Sequence, residues 1–268
     1  MSRPVITFDP GPHTYLVDGE EGYPSVTQII DATVPKPFSA AAWWGYKLGV
    51  TASFNVAYSL QGTELLPPEF EGFYELVKSE DNPNKKRDKA GDRGTAIHDA
   101  LERYAKTGAI PAPSDFPEED RARVTGVVDW LLDNRPEYLG AEVRTASLKH
   151  KYVGSLDAYV LFHKGNFKGK TARLDYKTSK NVYPDSMFPQ LAAYEQAEVE
   201  CGEPASDLRL ILHIPEDGVC NTFRVSDTFS DFRVLLAQYK SKQGRDKKAK
   251  QEKEKVKAAK AAAKLQGK

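Results

Sequence analysis

Apolar residues recur along this chain at two spacings, and the change from one to the other marks its architecture. From Thr95 to Lys106, Ile97, Leu101 and Tyr104 fall on one helical face, with Gly108 as a C-terminal stop. The spacing returns from Glu118 to Asn134 through Val124, Val127, Val128, Leu131 and Leu132 and predicts a second helix. Strand-like runs then follow: Glu142 to Leu148, Lys151 to Phe162 and Thr171 to Lys177, the last two joined by a polar loop with glycines. After a turn at Tyr183-Pro184-Asp185, a helix is expected from about Pro189 to Glu200. Leu208 to Ile214 reads as a strand, with Val219 to Val225 as its pairing partner. Helix, three strands, helix and strand predict an α/β fold, a central mixed sheet covered by helices.

Towards the N-terminus, Val5 to Val17 alternate and turn at Asp9-Pro10-Gly11-Pro12, the pattern of a short hairpin. Pro24-Ser25-Val26-Thr27-Gln28-Ile29-Ile30 reads as a capped helix start, with Ser25 as cap and Gln28 three residues on. Another helix is expected from Ser39 to Val50, carrying the adjacent Trp43 and Trp44. The stretch from Gln61 to Asn84 mixes Pro, Gly and acids with aromatics and shows no assignable period. Beyond about Phe229 a last helix shades into a Lys/Ala/Glu tail that favours helix yet lacks an apolar stripe. Three regions follow: a hairpin and helical extension over 1–89, a core over 90–239, and a basic tail over 240–268.

At 268 residues the chain can bury a substantial core. Its zero net charge conceals an asymmetry. From Lys240 to Lys268, twelve Lys and Arg stand against three acids, a net of +9, and the preceding residues hold 26 basic against 35 acidic groups, a net of −9. A basic tail on an acidic body suggests an anionic partner, nucleic acid above all. No window approaches the roughly 18 apolar residues of a membrane span, and Met1-Ser2-Arg3-Pro4-Val5 lacks an apolar signal core, so a cytoplasmic setting is expected. Cys201 and Cys220 cannot supply a four-thiolate zinc or iron–sulfur site.

The chemistry gathers at the strand ends. Asp175-Tyr176-Lys177 closes an apolar run, and strand alternation points residues 175 and 177 to the same side. An Asp-x-Lys triplet alone means little, because about one is expected by chance in a chain of this length. Asp246-Lys247-Lys248 in the tail has the spacing without the strand. The first triplet differs in its company. Asp157 lies eighteen positions upstream in Gly154-Ser155-Leu156-Asp157, and His98 sits on the helix that precedes the strands. Histidine with two carboxylates suits Mn²⁺ or Mg²⁺. Gln190 and Tyr194, at i and i+4, share a face of the helix that follows.

The series His98, Gly154-x-x-Asp157, Asp175-x-Lys177 and Gln190-x-x-x-Tyr194 resembles the RecB-like branch of the PD-(D/E)XK nucleases over roughly residues 90–215. The N-terminal part with its paired tryptophans looks like that of phage-encoded exonucleases of this branch. The resemblance implies a restriction-endonuclease-like core and a metal-dependent DNA nuclease, an exonuclease of phage-type replication, recombination or repair. It implies that His98, Asp157 and Asp175 bind metal, with the Tyr176 carbonyl as a further ligand. Lys177 would position or deprotonate the attacking water and Glu142 would be an acid near the site, while Gln190 and Tyr194 would contact DNA. With two cysteines this would be a member without an iron–sulfur cluster. No Gly-x-x-x-x-Gly-Lys-Ser/Thr loop occurs, so a helicase partner would be a separate protein, as would a recombinase or single-strand-binding protein. The alternative is a non-catalytic DNA-binding or scaffold protein on the same fold.

Overall fold

A computed structural model describes residues 3–9, 14–34, 38–59, 83–226 and 228–266. The expected turn at Pro10–Pro12, most of the stretch from Gln61 to Asn84, and the Trp43 and Trp44 side chains lie outside the described residues. Strands β1 (Ile6–Asp9) and β2 (Thr14–Val17) pair antiparallel as the expected hairpin. Helix α1 (Val26–Thr33) starts on the capping box read from the sequence: Ser25 Oγ accepts from the Gln28 N–H, and Gln28 returns the bond to the Ser25 N–H. Helix α2 (Phe38–Ser59) runs nine residues past its expected end.

Helix α3 (Pro83–Thr107) starts well before Thr95, the expected start, and runs through Gly91 and Gly94. Two helical glycines cost about 1 kcal/mol each. A Cβ at Gly94 would meet Thr178 Oγ1, just past the end of the central strand, at 3.4 Å, an ordinary contact, so the helix passes close to the strand end here. Helix α4 (Glu118–Asn134) matches its expected bounds.

One five-stranded mixed sheet follows, in the order β3-β4-β5-β6-β7. β3 (Pro136–Ser147), β4 (Tyr152–Phe162) and β5 (Thr171–Lys177) are antiparallel neighbours. β5 pairs parallel with β6 (Leu208–His213) through the crossover helix α5 (Pro184–Glu200), and β7 (Asn221–Arg224) closes the sheet antiparallel. β3 opens at Pro136 rather than Glu142, because Pro136 to Tyr138 pair with the far end of β4 and a bulge at Leu139 absorbs the irregular sequence. Helix α5 opens at Pro184 rather than Pro189. Pro184 occupies the first turn, where its missing N–H costs nothing, and Pro189 is held inside the helix as a buried residue.

Both sheet faces are covered. Ile97, Leu101, Val127, Trp130 and Leu131 of α3 and α4 pack on Ala172, Leu174 and Tyr176 of β5 and Leu210 and Leu212 of β6. On the other side, α1 and α5 meet α6 (Phe229–Gln266) through Ile29, Leu191, Phe232 and Leu236 over Tyr152, Leu156 and Ile211. Each such fully buried Leu, Ile or Phe contributes about 1.5–3 kcal/mol. Arg173 is wholly buried on the α5 side, where Glu195 and Glu198 take its guanidinium at 3.1 and 2.9 Å. Among the described residues no helix is long and apolar enough to cross a membrane.

Candidate metal centre at the end of the central strands

The β4–β5 ladder stops at Ala158↔Leu174, whereas β5 stays paired with β6 to Lys177↔His213. Beyond the stop, the Tyr176 N–H donates instead to Asp157 Oδ2 at 2.6 Å. A carboxylate thus replaces a strand partner, and both Asp157 and the DYK segment are anchored by backbone bonding. Alternation along β4 also breaks at this point. Leu156 packs with the α1/α5/α6 cluster, whereas Ala158, Val160 and Phe162 pack with α3 and α4. Across the sheet, between the pairs Ala141↔Ala158 and Val143↔Leu156, Glu142 adopts a left-handed φ of +48°. A non-glycine residue in that region is uncommon within a strand and costs about 1–3 kcal/mol. Its carboxylate accepts from Ser155 Oγ at 3.2 Å.

Helix α3 brings His98 to this break. Its Nε2 lies 3.2 Å from the Tyr176 carbonyl oxygen, which can only accept, so Nε2 carries the proton. Burial lowers the His98 pKa, against the opposing pull of Asp175, so near neutral pH the ring is uncharged. Nδ1 therefore presents a lone pair to Asp157 Oδ1 at 3.7 Å and Glu142 Oε1 at 4.0 Å. Burial raises the Glu142 pKa, and burial with the nearby Asp175 charge holds Asp157 well above the usual carboxylate range. One ligand atom from each of His98, Glu142 and Asp157 thus lies within 4.8 Å of the others.

Lys177 Nζ stands 2.6 Å from Asp175 Oδ2, an ion pair whose carboxylate is almost wholly buried. Burial would lower the Lys177 pKa, but the Asp175 and Asp157 carboxylates outweigh it and hold the amine protonated. The ends of β5 and β6 are tied by Arg123 of α4, whose guanidinium donates to the Ile214 carbonyl at 2.9 Å and the Thr178 carbonyl at 3.5 Å.

Two clefts meet at His98. One of about 820 Å³ is lined by Gly94, Glu142, Arg144 and Ser155. The other, of about 390 Å³, runs past Lys177, Gln190 and Asp31 of α1. Gln190 Nε2 donates to Tyr194 Oη at 2.8 Å, but Tyr194 is buried with its ring against Gly154. Of that pair, Gln190 borders the cleft and Tyr194 supports it from beneath. A Cβ at Gly154 would lie 2.2 Å from Tyr194 Cε1. Gly154→Ala is therefore expected to destabilise the fold by about 1–3 kcal/mol, read as a lower urea midpoint with unchanged slope.

The expected residues do converge, in a different grouping. His98, Glu142 and Asp157 form the close set, while Asp175 turns to Lys177, and the Tyr176 carbonyl is engaged by His98. Sequence reasoning passed over Ser155 and Arg123. Ser155 stood inside the quoted Gly154–Asp157 motif, but nothing in the spacing of α4 signals Arg123. Neither protein-family models nor curated proteins match this chain.

Proposed function

We propose that this protein is a metal-dependent DNA nuclease with a restriction-endonuclease-like core of the RecB-like PD-(D/E)XK kind, acting as an exonuclease in phage-type DNA recombination, replication or repair. One observation carries the reading: an imidazole lone pair and two carboxylates converge within 4.8 Å beside a protonated lysine, at a break between two strands. The donor set fits a divalent ion. An uncharged imidazole nitrogen and two carboxylate oxygens lie close enough together to share one ion, and burial with the like charge of Asp175 raises the Asp157 pKa, a crowding that a cation relieves. His98, Glu142 and Asp157 would hold Mg²⁺ or Mn²⁺, with Asp175 beside them. When bound, such an ion lowers the pKa of water and offsets charge on the scissile phosphate.

The chain's own groups divide the remaining work. Lys177 is held as a cation by Asp175 and Asp157, so it orients the attacking water and stabilises charge developing on the phosphate oxygens. Asp175 fixes the amine, and the backbone bond from Tyr176 to Asp157 keeps the two strand ends in register. Gln190 borders the same cleft and contacts the DNA. The acidic cleft requires cations to bring DNA to it, and the basic end of α6 supplies them.

Linear DNA incubated with Mn²⁺ or Mg²⁺ is expected to be degraded by the wild type and left intact by Asp175→Ala and Lys177→Ala. End-labelled strands and a closed circle report polarity and exonuclease action. Equal digestion by all three proteins, or none by the wild type with either ion, overturns the reading. The second outcome with DNA still bound is that of a non-catalytic DNA-binding protein.

A further inference from the structure

Also against α1 lies a third cavity, of about 460 Å³, which the nuclease chemistry does not use. Three tyrosines from separate elements line it: Tyr15 of β2, Tyr23 of the loop before α1, and Tyr239 of α6. All three are half-buried. Tyr15 also stacks at a tilt on Phe8, with ring centroids 4.8 Å apart. Lys151 and Lys240 stand at the rim with one acid, Glu21. Lys240 is held there by a bond from its Nζ to the His150 carbonyl at 2.9 Å.

The same wall continues into the basic helix. Every described side chain from Lys240 to Lys257 is exposed. From Lys240 to its last described residue, Gln266, α6 reaches about 40 Å at 1.5 Å per residue. Aromatic faces beside a track of cations are the two parts of a single-strand nucleic-acid site, one stacking bases and the other following phosphates. Duplex DNA keeps its bases stacked on each other and offers these rings nothing but phosphate.

We infer that the Tyr15–Tyr23–Tyr239 cavity holds an unstacked base of single-stranded DNA, with α6 tracking the adjoining backbone. Naming DNA as the nucleic acid rests on the nuclease reading, whereas the stacking chemistry rests on the cavity. Thr27, Ile30 and Asp31 of α1 border the Lys177 cleft and Gln28 borders this cavity, so one helix separates the two. A single strand entering the metal centre is thereby also gripped away from the reacting phosphate.

The test is fluorescence anisotropy of a labelled oligothymidylate and of a blunt duplex hairpin, with the full chain in EDTA so that nothing is cut. Tyr23→Leu is expected to weaken single-strand binding about 5- to 100-fold, the effect of losing one stacked base, and to leave duplex binding unchanged. Tyr23→Phe keeps the aromatic face and is expected to bind as the wild type does. The double variant Lys151→Gln/Lys240→Gln should reduce the log–log salt slope for the single strand by about 1.4, from two lost phosphate contacts. Thermal melts of each variant verify folding. If Tyr23→Leu weakens neither substrate, or both equally, the cavity holds no base and the inference is wrong. A protein that binds single strands through Tyr23 yet cuts nothing with Mn²⁺ would keep this inference and sink the nuclease reading.

Discussion

Lys177→Met is expected to lower stability by about 3 kcal/mol, the cost of leaving a buried charge unpaired, and to reduce DNA cleavage at least about a hundredfold, the usual loss for one transition-state donor. The stability effect follows from Asp175, whose side chain is 2% exposed and whose Oδ2 has only the Lys177 ammonium beside it. Lys177 itself is one-fifth exposed, which places the cost at the low end of the range for broken buried pairs. Asp175→Asn/Lys177→Met removes both charges. It is expected to regain most of the lost stability, because two neutral groups of similar shape carry no uncompensated charge. It regains no cleavage, since the amine is still missing. Urea unfolding in EDTA and cleavage in Mn²⁺, measured on both single variants and the double, separate the two effects. A double variant less stable than Lys177→Met, or one that cuts DNA, would show that the pair does not act as described.

The sheet and its covering helices were legible because their signals are local. The bounds of α4 and β5 follow from apolar periodicity, and Ser25 with Gln28 announces the start of α1. Element starts are read too late where the packed element continues through proline or glycine: β3 begins before Gly140, α3 before Gly91 and Gly94, and α5 before Pro189. The site was legible as a set of residues and not as a grouping. Alternation along β5 put Asp175 and Lys177 together, and they are ion-paired. It could not show that the β4–β5 ladder ends at Ala158, that Asp157 takes over the Tyr176 N–H, or that Glu142 turns to φ +48°. With those three departures it is Glu142, and not Asp175, that stands in the close group with His98 and Asp157. The same limit applies to Tyr194: its i, i+4 partnership with Gln190 was readable, but its burial against Gly154 depends on β4, a strand about forty residues earlier in the chain, which no local period announces.

Asp157→Asn is expected to stabilise the metal-free protein once the pH exceeds the raised Asp157 pKa, while abolishing its response to Mn²⁺. Asn can still accept from the Tyr176 N–H, so the backbone anchor survives and only the charge is lost. In the metal-free protein the Asp157 and Glu142 carboxyls titrate above their unfolded values. Their contribution to stability is fully present below the unfolded carboxylate range and lost as pH rises through the raised values. His98 shifts the other way, so its contribution is present above the ordinary imidazole range and lost as pH falls through the lowered value. At pH values above those raised pKa values the wild type therefore carries the cost of two crowded carboxylates beside a neutral ring, and Asp157→Asn relieves it. The advantage should shrink as the pH is lowered through the raised Asp157 value, where the wild-type carboxyl takes up its own proton. A divalent ion relieves the same crowding in the wild type. At about a hundred times its Kd it adds about 2.7 kcal/mol by mass action, a rise in Tm of roughly 5–10 °C. Melting curves of both proteins in EDTA and in Mn²⁺ measure all of this. If Asp157→Asn melts below the wild type in EDTA, or rises as far with Mn²⁺, the three converging groups are not a metal centre.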